Sequence, residues 1–207
     1  TTNPGDCDFF QDRLSVTGMS VFYNPEFIAQ GSIIRDLQNA DTVLLGGDGK
    51  HKGNLVNIYK KIQYGYKEPS IHFMSTKAAE IVKIAINTFL TTKISYANML
   101  GQVLCNSGLQ DEIDNVLRAI GSDTRIGNKY LNFGFGFGGP CFPRDNRAFA
   151  SYAKQVGVQH NFGSTTDNFN QGHLIFLKHY FINQNKDRLP FCFHSIAYKP
   201  GTDILTE

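Results

Sequence analysis

A cysteine closes a glycine-rich run in Gly134-Phe135-Gly136-Phe137-Gly138-Gly139-Pro140-Cys141-Phe142-Pro143-Arg144-Asp145. Backbone without Cβ atoms passes close to a ligand and takes positive φ where a turn requires it. Pro143 suits the first position of a helix, and Asp145 suits its electropositive end. Ala148, Phe149, Tyr152, Ala153 and Val156 then recur at helical spacing, and Gly157 stands where a helix stops. The spacing predicts a helix with Cys141 at its mouth, where peptide dipoles favour the thiolate, the nucleophilic form of the side chain. A small buried thiol is the alternative fate of such a residue. Gly134 to Gly139 also fits G-x-G-x-x-G, but a loop precedes it and Cys-Phe-Pro follows, so the strand and helix of a dinucleotide turn are missing.

Other side chains of chemical interest are Lys83, Asn87, Glu26 and Asp145. Lys83 and Asn87 stand four apart, on one face of a predicted helix, among apolar neighbours. By type and spacing alone they read as a snorkelling lysine and a packing asparagine. Glu26 reads as a carboxylate in a solvated turn, and Asp145 as a helix-start charge.

Positioning these groups takes several elements. Thr1 to Gly5 is turn-rich, a polar helix is predicted over Asp6–Leu14, and Met19–Tyr23 reads as a short strand ending at Asn24-Pro25. Thr42–Gly47 is a better strand, β-branched and closed by glycines. Leu55, Ile58, Tyr59 and Ile62 predict a helix over Asn54–Gln63. From Ser75, a candidate cap, a run to Asn106 lacks Pro and contains only Gly101 among glycines. Its apolar side chains point in most directions, which predicts a long helix buried on most faces. Leu109–Ile120 is a second helix with Asp111 and Glu112 in its first turn and Gly121 as its stop. Asn170 to about Ile182 is helical, and Phe191–Tyr198 is an apolar strand.

The 207 residues are 41% hydrophobic, enough to bury a core in one or two domains. A net charge of +2, with the basic residues scattered, implies no nucleic-acid surface. Cys7, Cys105, Cys141 and Cys192 are far apart, which argues for reduced thiols in a cytoplasmic protein and against a disulfide framework or a structural metal site. No apolar run is long enough to span a membrane. The first residue is Thr1, and no glycine-rich turn opens the first α/β segment, so the chain is expected to be a piece of a longer protein.

Four ordered stretches resemble the nucleotide-sugar 6-dehydrogenases, the UDP-glucose/GDP-mannose dehydrogenase family. They are Asn24-Pro25-Glu26-Phe27, Ala79-Glu80 through Lys83 to Asn87, the cysteine loop Gly134–Asp145, and Ala197-Tyr198-Lys199-Pro200-Gly201-Thr202-Asp203. The resemblance implies α/β flanks around an all-α centre. Residues 1–70 would be the tail of a Rossmann-like NAD-binding domain and 71–165 a helical dimerisation domain with the cysteine loop. Residues 166–207 would begin a second Rossmann-like domain that binds the nucleotide sugar.

The resemblance also implies roles. Cys141 is the nucleophile in a two-step, NAD-dependent oxidation of the C6 alcohol, by way of a thiohemiacetal and a thioester. Lys83 stabilises the oxyanion and Asn87 donates to it. Asp145 and Thr2 place a water, and Glu26 is the acid/base for thioester hydrolysis. Phe27, Arg125, Tyr130, Phe135, Gly138 and Lys199 are implied substrate contacts, with Arg125 reaching across a homodimer formed by the 75–106 helix. Thr2, Glu26 and Lys199 are implied cofactor contacts. UDP-glucose is the leading substrate, with GDP-mannose or a UDP-N-acetylhexosamine as alternatives; a non-catalytic dimerisation module is a further one. Thr1, Gln30, Ser195 and Thr206 depart from the family pattern.

Overall fold

The computed structural model describes residues 1–28, 31–63 and 70–198, with residues 203 and 205. Gln30, Lys199 and Thr206 lie outside the described residues. The chain divides into two compact units, Thr1–Ala85 and Ile86–Glu207.

In the first unit Gly5, at φ 105°, turns the chain into α1 (Asp6–Leu14), the predicted helix. Asp6 and Asp8 lie in its first turn and Arg13 in its last, each matching the helix dipole. After α2 (Ile33–Gln38), β1 (Thr42–Gly46) pairs in parallel with β2 (Ser70–Met74), in register from Thr42↔Ser70 to Gly46↔Met74. Parallel strands need a crossover, and α3 (Lys52–Ile62) lies between them in the chain. Val43, Leu44 and Leu45 of β1 are buried, and Leu44 joins Cys7, Tyr23 and Ala79 in the unit's core.

The strand expected over Met19–Tyr23 does not form; only an isolated antiparallel bridge joins Tyr23 to Gly46. The Gln11 side chain takes the backbone groups a ladder would use, donating to the Met19 carbonyl and accepting from the Val21 N–H.

The long helix is α4 (Thr76–Asn106), about 46 Å of continuous helix. Ser75 Oγ accepts from the Ala78 N–H at 3.4 Å, so Ser75 stands at its start as expected. A Cβ on Gly46 would lie 2.8 Å from that of Ala79 and 2.9 Å from Thr76 Cα. Only glycine lets the first turn of α4 cross the end of β1.

In the second unit α4 buries Thr88, Thr91, Ser95, Ala97 and Asn98. Phe89, Tyr96, Met99 and Val103 stay exposed along one stripe, so the all-round burial expected of this helix is not met within a single chain. The next helix begins later than expected: a 3-10 turn, Gln110–Glu112, carries the acidic residues, and α5 (Ile113–Gly121) follows. Ile113 and Leu117 of α5 pack with Ala97 and Leu131.

α6 (Phe142–Gln155) has Pro143 second rather than first, and Gly157 follows at φ 90°. α7 (Phe162–Gln184) starts eight residues before the predicted Asn170, because the Asn161 side chain caps it by accepting from the Ser164 N–H at 3.0 Å. The strand expected over Phe191–Tyr198 is absent, and that segment is irregular. No neighbouring strand is present in this unit among the described residues, and a lone strand has nothing to pair with.

Candidate functional site

Cys141 occupies the N-cap position of α6 and is exposed. Its carbonyl already accepts from the Asp145 N–H at 2.9 Å, which closes the first helical turn. Asp145 is fully buried. A buried carboxylate must be paired, and two donors meet it: Asn87 Nδ2 at 2.6 Å and Arg144 Nε at 2.8 Å. The direct bond between Asn87 and Asp145 ties α4 to α6.

Arg144 was read from the sequence only as a first-turn residue. Its guanidinium is held above its ordinary value by Asp145 first and, less strongly, by the sulfur of Cys141, against partial burial. The next residue, Asn146, is also buried; it accepts from Thr91 Oγ1 at 2.9 Å and donates to Thr166 Oγ1 at 3.0 Å. Consecutive buried polar residues thus fix the start of α6 against α4 and α7. Such networks stabilise a single arrangement when every member is satisfied.

The glycine run before Cys141 forms one wall of an open cavity of about 610 Å³. Phe135, Gly138, Asn170, Arg147 and Tyr198 are among its lining residues. Gly139 has φ 80°, and a Cβ there would lie 2.6 Å from the Tyr198 ring. Close approach of the Tyr198 ring thus accounts for Gly139. Phe135 and Gly138 line the cavity, whereas Arg125 and Tyr130 do not. Arg125 pairs with Asp123 through Nη2 at 2.6 Å and Nε at 3.0 Å, with most of its side chain in solvent. Tyr130 holds a strained φ of 65°.

In the first unit Lys83 Nζ donates to the Glu26 carbonyl at 2.8 Å and stands 4.7 Å from the centroid of the Phe27 ring. That distance is within range of a cation–π contact. Glu26 is exposed, at the edge of a small cavity that Pro25, Phe27, Leu37 and Val43 also line.

Glu80, whose role the sequence left unread, is fully buried and accepts from Thr2 Oγ1 at 2.9 Å, Gly5 N at 2.6 Å and Cys7 N at 2.9 Å. It caps α1 from another helix and holds Thr2 in place. Burial, reinforced by the Glu80 carboxylate, pushes the Cys7 thiol up to about 12, so Cys7 is inert where Cys141 is accessible. A carboxylate inside the apolar run Ala78-Ala79-Glu80-Ile81-Val82 was the available signal, since unpaired buried charge is costly.

The sequence profile of the UDP-glucose/GDP-mannose dehydrogenase family, central domain, matches residues 77–172, which hold Lys83, Asn87, Cys141 and Asp145. The chain is 34% identical over 194 residues to the UDP-glucose 6-dehydrogenase of Pseudomonas aeruginosa, covering 91% of this chain and 42% of that protein. The chain belongs to the UDP-glucose/GDP-mannose dehydrogenase family. The UDP-glucose 6-dehydrogenase of Gallus gallus is 40% identical over 129 residues, covering 61% of this chain and 26% of its own length.

Among solved structures, the UDP-glucose dehydrogenase of the hyperthermophilic archaeon Pyrobaculum islandicum superposes with a TM-score of 0.76 at 30% identity, over 91% of this chain and 42% of that one. This family member spans less than half the length of the relatives it matches. Its cysteine loop, its α4 asparagine and the aspartate between them lie in the unit that begins at Ile86.

Proposed function

We propose that the chain forms the central part of a cytoplasmic, NAD-dependent nucleotide-sugar 6-dehydrogenase that oxidises UDP-glucose to UDP-glucuronate. The observation that carries this reading is the exposed Cys141 at the start of α6, beside a buried Asp145 held by Asn87 and Arg144. Relatives named as UDP-glucose 6-dehydrogenases support the choice of sugar.

Among the described residues the first unit holds a single parallel pair, β1–β2 with the crossover α3, short of the three-stranded βαβαβ half that binds a mononucleotide, so this chain alone does not fit a dinucleotide. NAD, bound largely by other parts of the whole protein, would supply the hydride acceptor. No hydride step is derived from these residues.

What they would do is handle the carbonyl. The sulfur of Cys141 attacks the C6 aldehyde, an S–C bond forms, and the carbonyl π electrons move to oxygen. Lys83 and Asn87 would stabilise that oxyanion, a term that is usually the largest in such catalysis. The covalent link retains the aldehyde between the two oxidations. At the thioester stage Glu26 would take a proton from water while Thr2 and Asp145 hold that water. Oxygen then attacks, the S–C bond breaks, and the Cys141 thiolate leaves. Phe27, Phe135, Gly138, Arg125, Tyr130 and Lys199 are proposed substrate contacts, with Arg125 supplied across a homodimer.

The test is Cys141→Ala in the whole protein, assayed with UDP-glucose for acid formation and NAD reduction. Loss of net acid is expected. Wild-type acid formation by that variant would overturn the assignment, and turnover of GDP-mannose or a UDP-N-acetylhexosamine in preference to UDP-glucose would replace the sugar.

A further inference from the structure

The loop from Gly134 to Pro140 has no regular structure, yet four of its backbone groups are paired, and each partner is a side chain. The Gly134 N–H donates to Asn98 Oδ1 at 3.0 Å and the Gly134 carbonyl meets His173 Nε2 at 2.7 Å. The Phe137 N–H donates to Asn170 Oδ1 at 2.9 Å, and the Phe137 carbonyl accepts from Asn170 Nδ2 at 2.8 Å.

We propose that Asn170 and His173 of α7 are positioning residues that clamp the glycine loop at Phe137 and Gly134 and so set the shape of the 610 Å³ cavity it lines. The two side chains are three apart on one helix, hence on one face.

A carboxamide is self-complementary to a peptide unit, so Asn170 pairs both polar groups of Phe137 as a neighbouring strand would. Its approach depends on Gly136, where a Cβ would lie 2.0 Å from Asn170 Oδ1. This glycine is therefore accounted for by the clamp.

His173 is fully buried, its ring stacked at 15° between Phe169 and Phe176 and edge-on to Phe133. A carbonyl only accepts, so Nε2 carries the proton and donates to Gly134, while Nδ1 receives Gln102 Nε2 at 2.8 Å. Burial pulls the ring below its ordinary value, which keeps it in this neutral form. Neither bond touches Cys141. The helix start at Cys141 is held separately, by Asp145 with Asn87.

The identity of the cavity's ligand rests on the function proposed above; the clamp itself does not. The test uses residue-resolved amide exchange, calorimetric titration with UDP-glucose and the alkylation rate of Cys141, each on the protein and its variants. Asn170→Ala is expected to speed exchange at the Phe137 N–H about tenfold, the loss of roughly one hydrogen bond, and to weaken UDP-glucose binding by a similar factor. Cys141 alkylation is expected to stay within about twofold of wild type, a change of only a few tenths of a kcal/mol. His173→Phe keeps the aromatic stack but removes the donor, and should loosen the loop around Gly134; His173→Gln, which retains a donor, should restore much of the protection.

Wild-type loop exchange in both Asn170→Ala and His173→Phe overturns the clamp. So does a change of Cys141 alkylation and melting temperature that tracks the loop, since that marks a general loss of packing. If the unmutated protein fails to bind UDP-glucose, the functional reading fails, and loop exchange alone decides the clamp.

Discussion

Asp145 shows how one residue serves both fold and site. Its carboxylate is fully buried and satisfied by Asn87 and Arg144, and its own N–H completes the turn at Cys141. Asp145→Ala removes the acceptor and leaves the Asn87 amide without this partner, while the half-exposed Arg144 is resolvated. A stability loss of about 1–3 kcal/mol is expected, the cost of stranding a buried donor, measured by urea unfolding. A loss under about 0.5 kcal/mol, the range of ordinary surface changes, would show that the pair does not hold α6.

His173 gives a pH signature. Its folded value lies below the ordinary one because of burial, so between the two the unfolded chain binds a proton that the folded chain refuses. Stability therefore falls as pH drops below about 6.5 and levels off once the folded ring also titrates. His173→Phe is expected to flatten that fall in a series of urea midpoints from neutral to mildly acidic pH. An unchanged slope would assign the acid sensitivity to another group.

At the scale of elements, glycines mark where helices and rings approach each other. A Cβ on Gly101 would lie 2.0 Å from the Phe133 ring, beside the cluster of Ala97, Ile113, Leu117 and Leu131. Gly101→Ala must displace that ring. A loss of about 1–3 kcal/mol is expected from overpacking, outweighing the gain in helix propensity. A variant that melts at or above the wild-type temperature would contradict this packing.

Gly101 also illustrates what was legible. The sequence carried α1 and α4 closely and the helix of the cysteine loop to within a residue, because caps, first-turn charges and spacing agree there. It missed β2, whose five residues mix Ser70 and His72 with apolar neighbours and gain their strand character only beside β1. It placed the start of α7 late because Gly163, Thr165 and Thr166 are weak helix formers while the Asn161 cap is local. Of the candidate site, the cysteine at a helix start was readable from type and position, whereas Asp145 read there only as a helix-start charge. Glu80, Asn170 and His173 were not, because their partners lie 33 to 78 residues away and are mostly backbone groups, which no motif records.

For the molecule as a whole, the exposed stripe of α4 is the feature with the largest consequence. Phe89, Tyr96, Met99 and Val103 are 65, 44, 39 and 52% exposed and follow one another at spacings of seven, three and four residues. That is the pattern of a helix seam. The opposite face is already occupied by Thr88, Thr91, Ser95 and Asn98, so the stripe has no partner to find within that packing. A two-fold pairing through α4 would cover it with a single patch used twice.

The expected state is therefore a dimer, which sedimentation equilibrium should detect at tens of micromolar, on the order of where a stable association persists. Met99→Lys tests the seam without disturbing the core, since this side chain is exposed in the single chain, whereas a charge at the half-buried Ile94 would also injure packing. The Lys variant should sediment as a monomer with its melting temperature lowered only by the lost association. A clean monomer for the unmutated chain, or an undiminished dimer for Met99→Lys, would place the interface elsewhere.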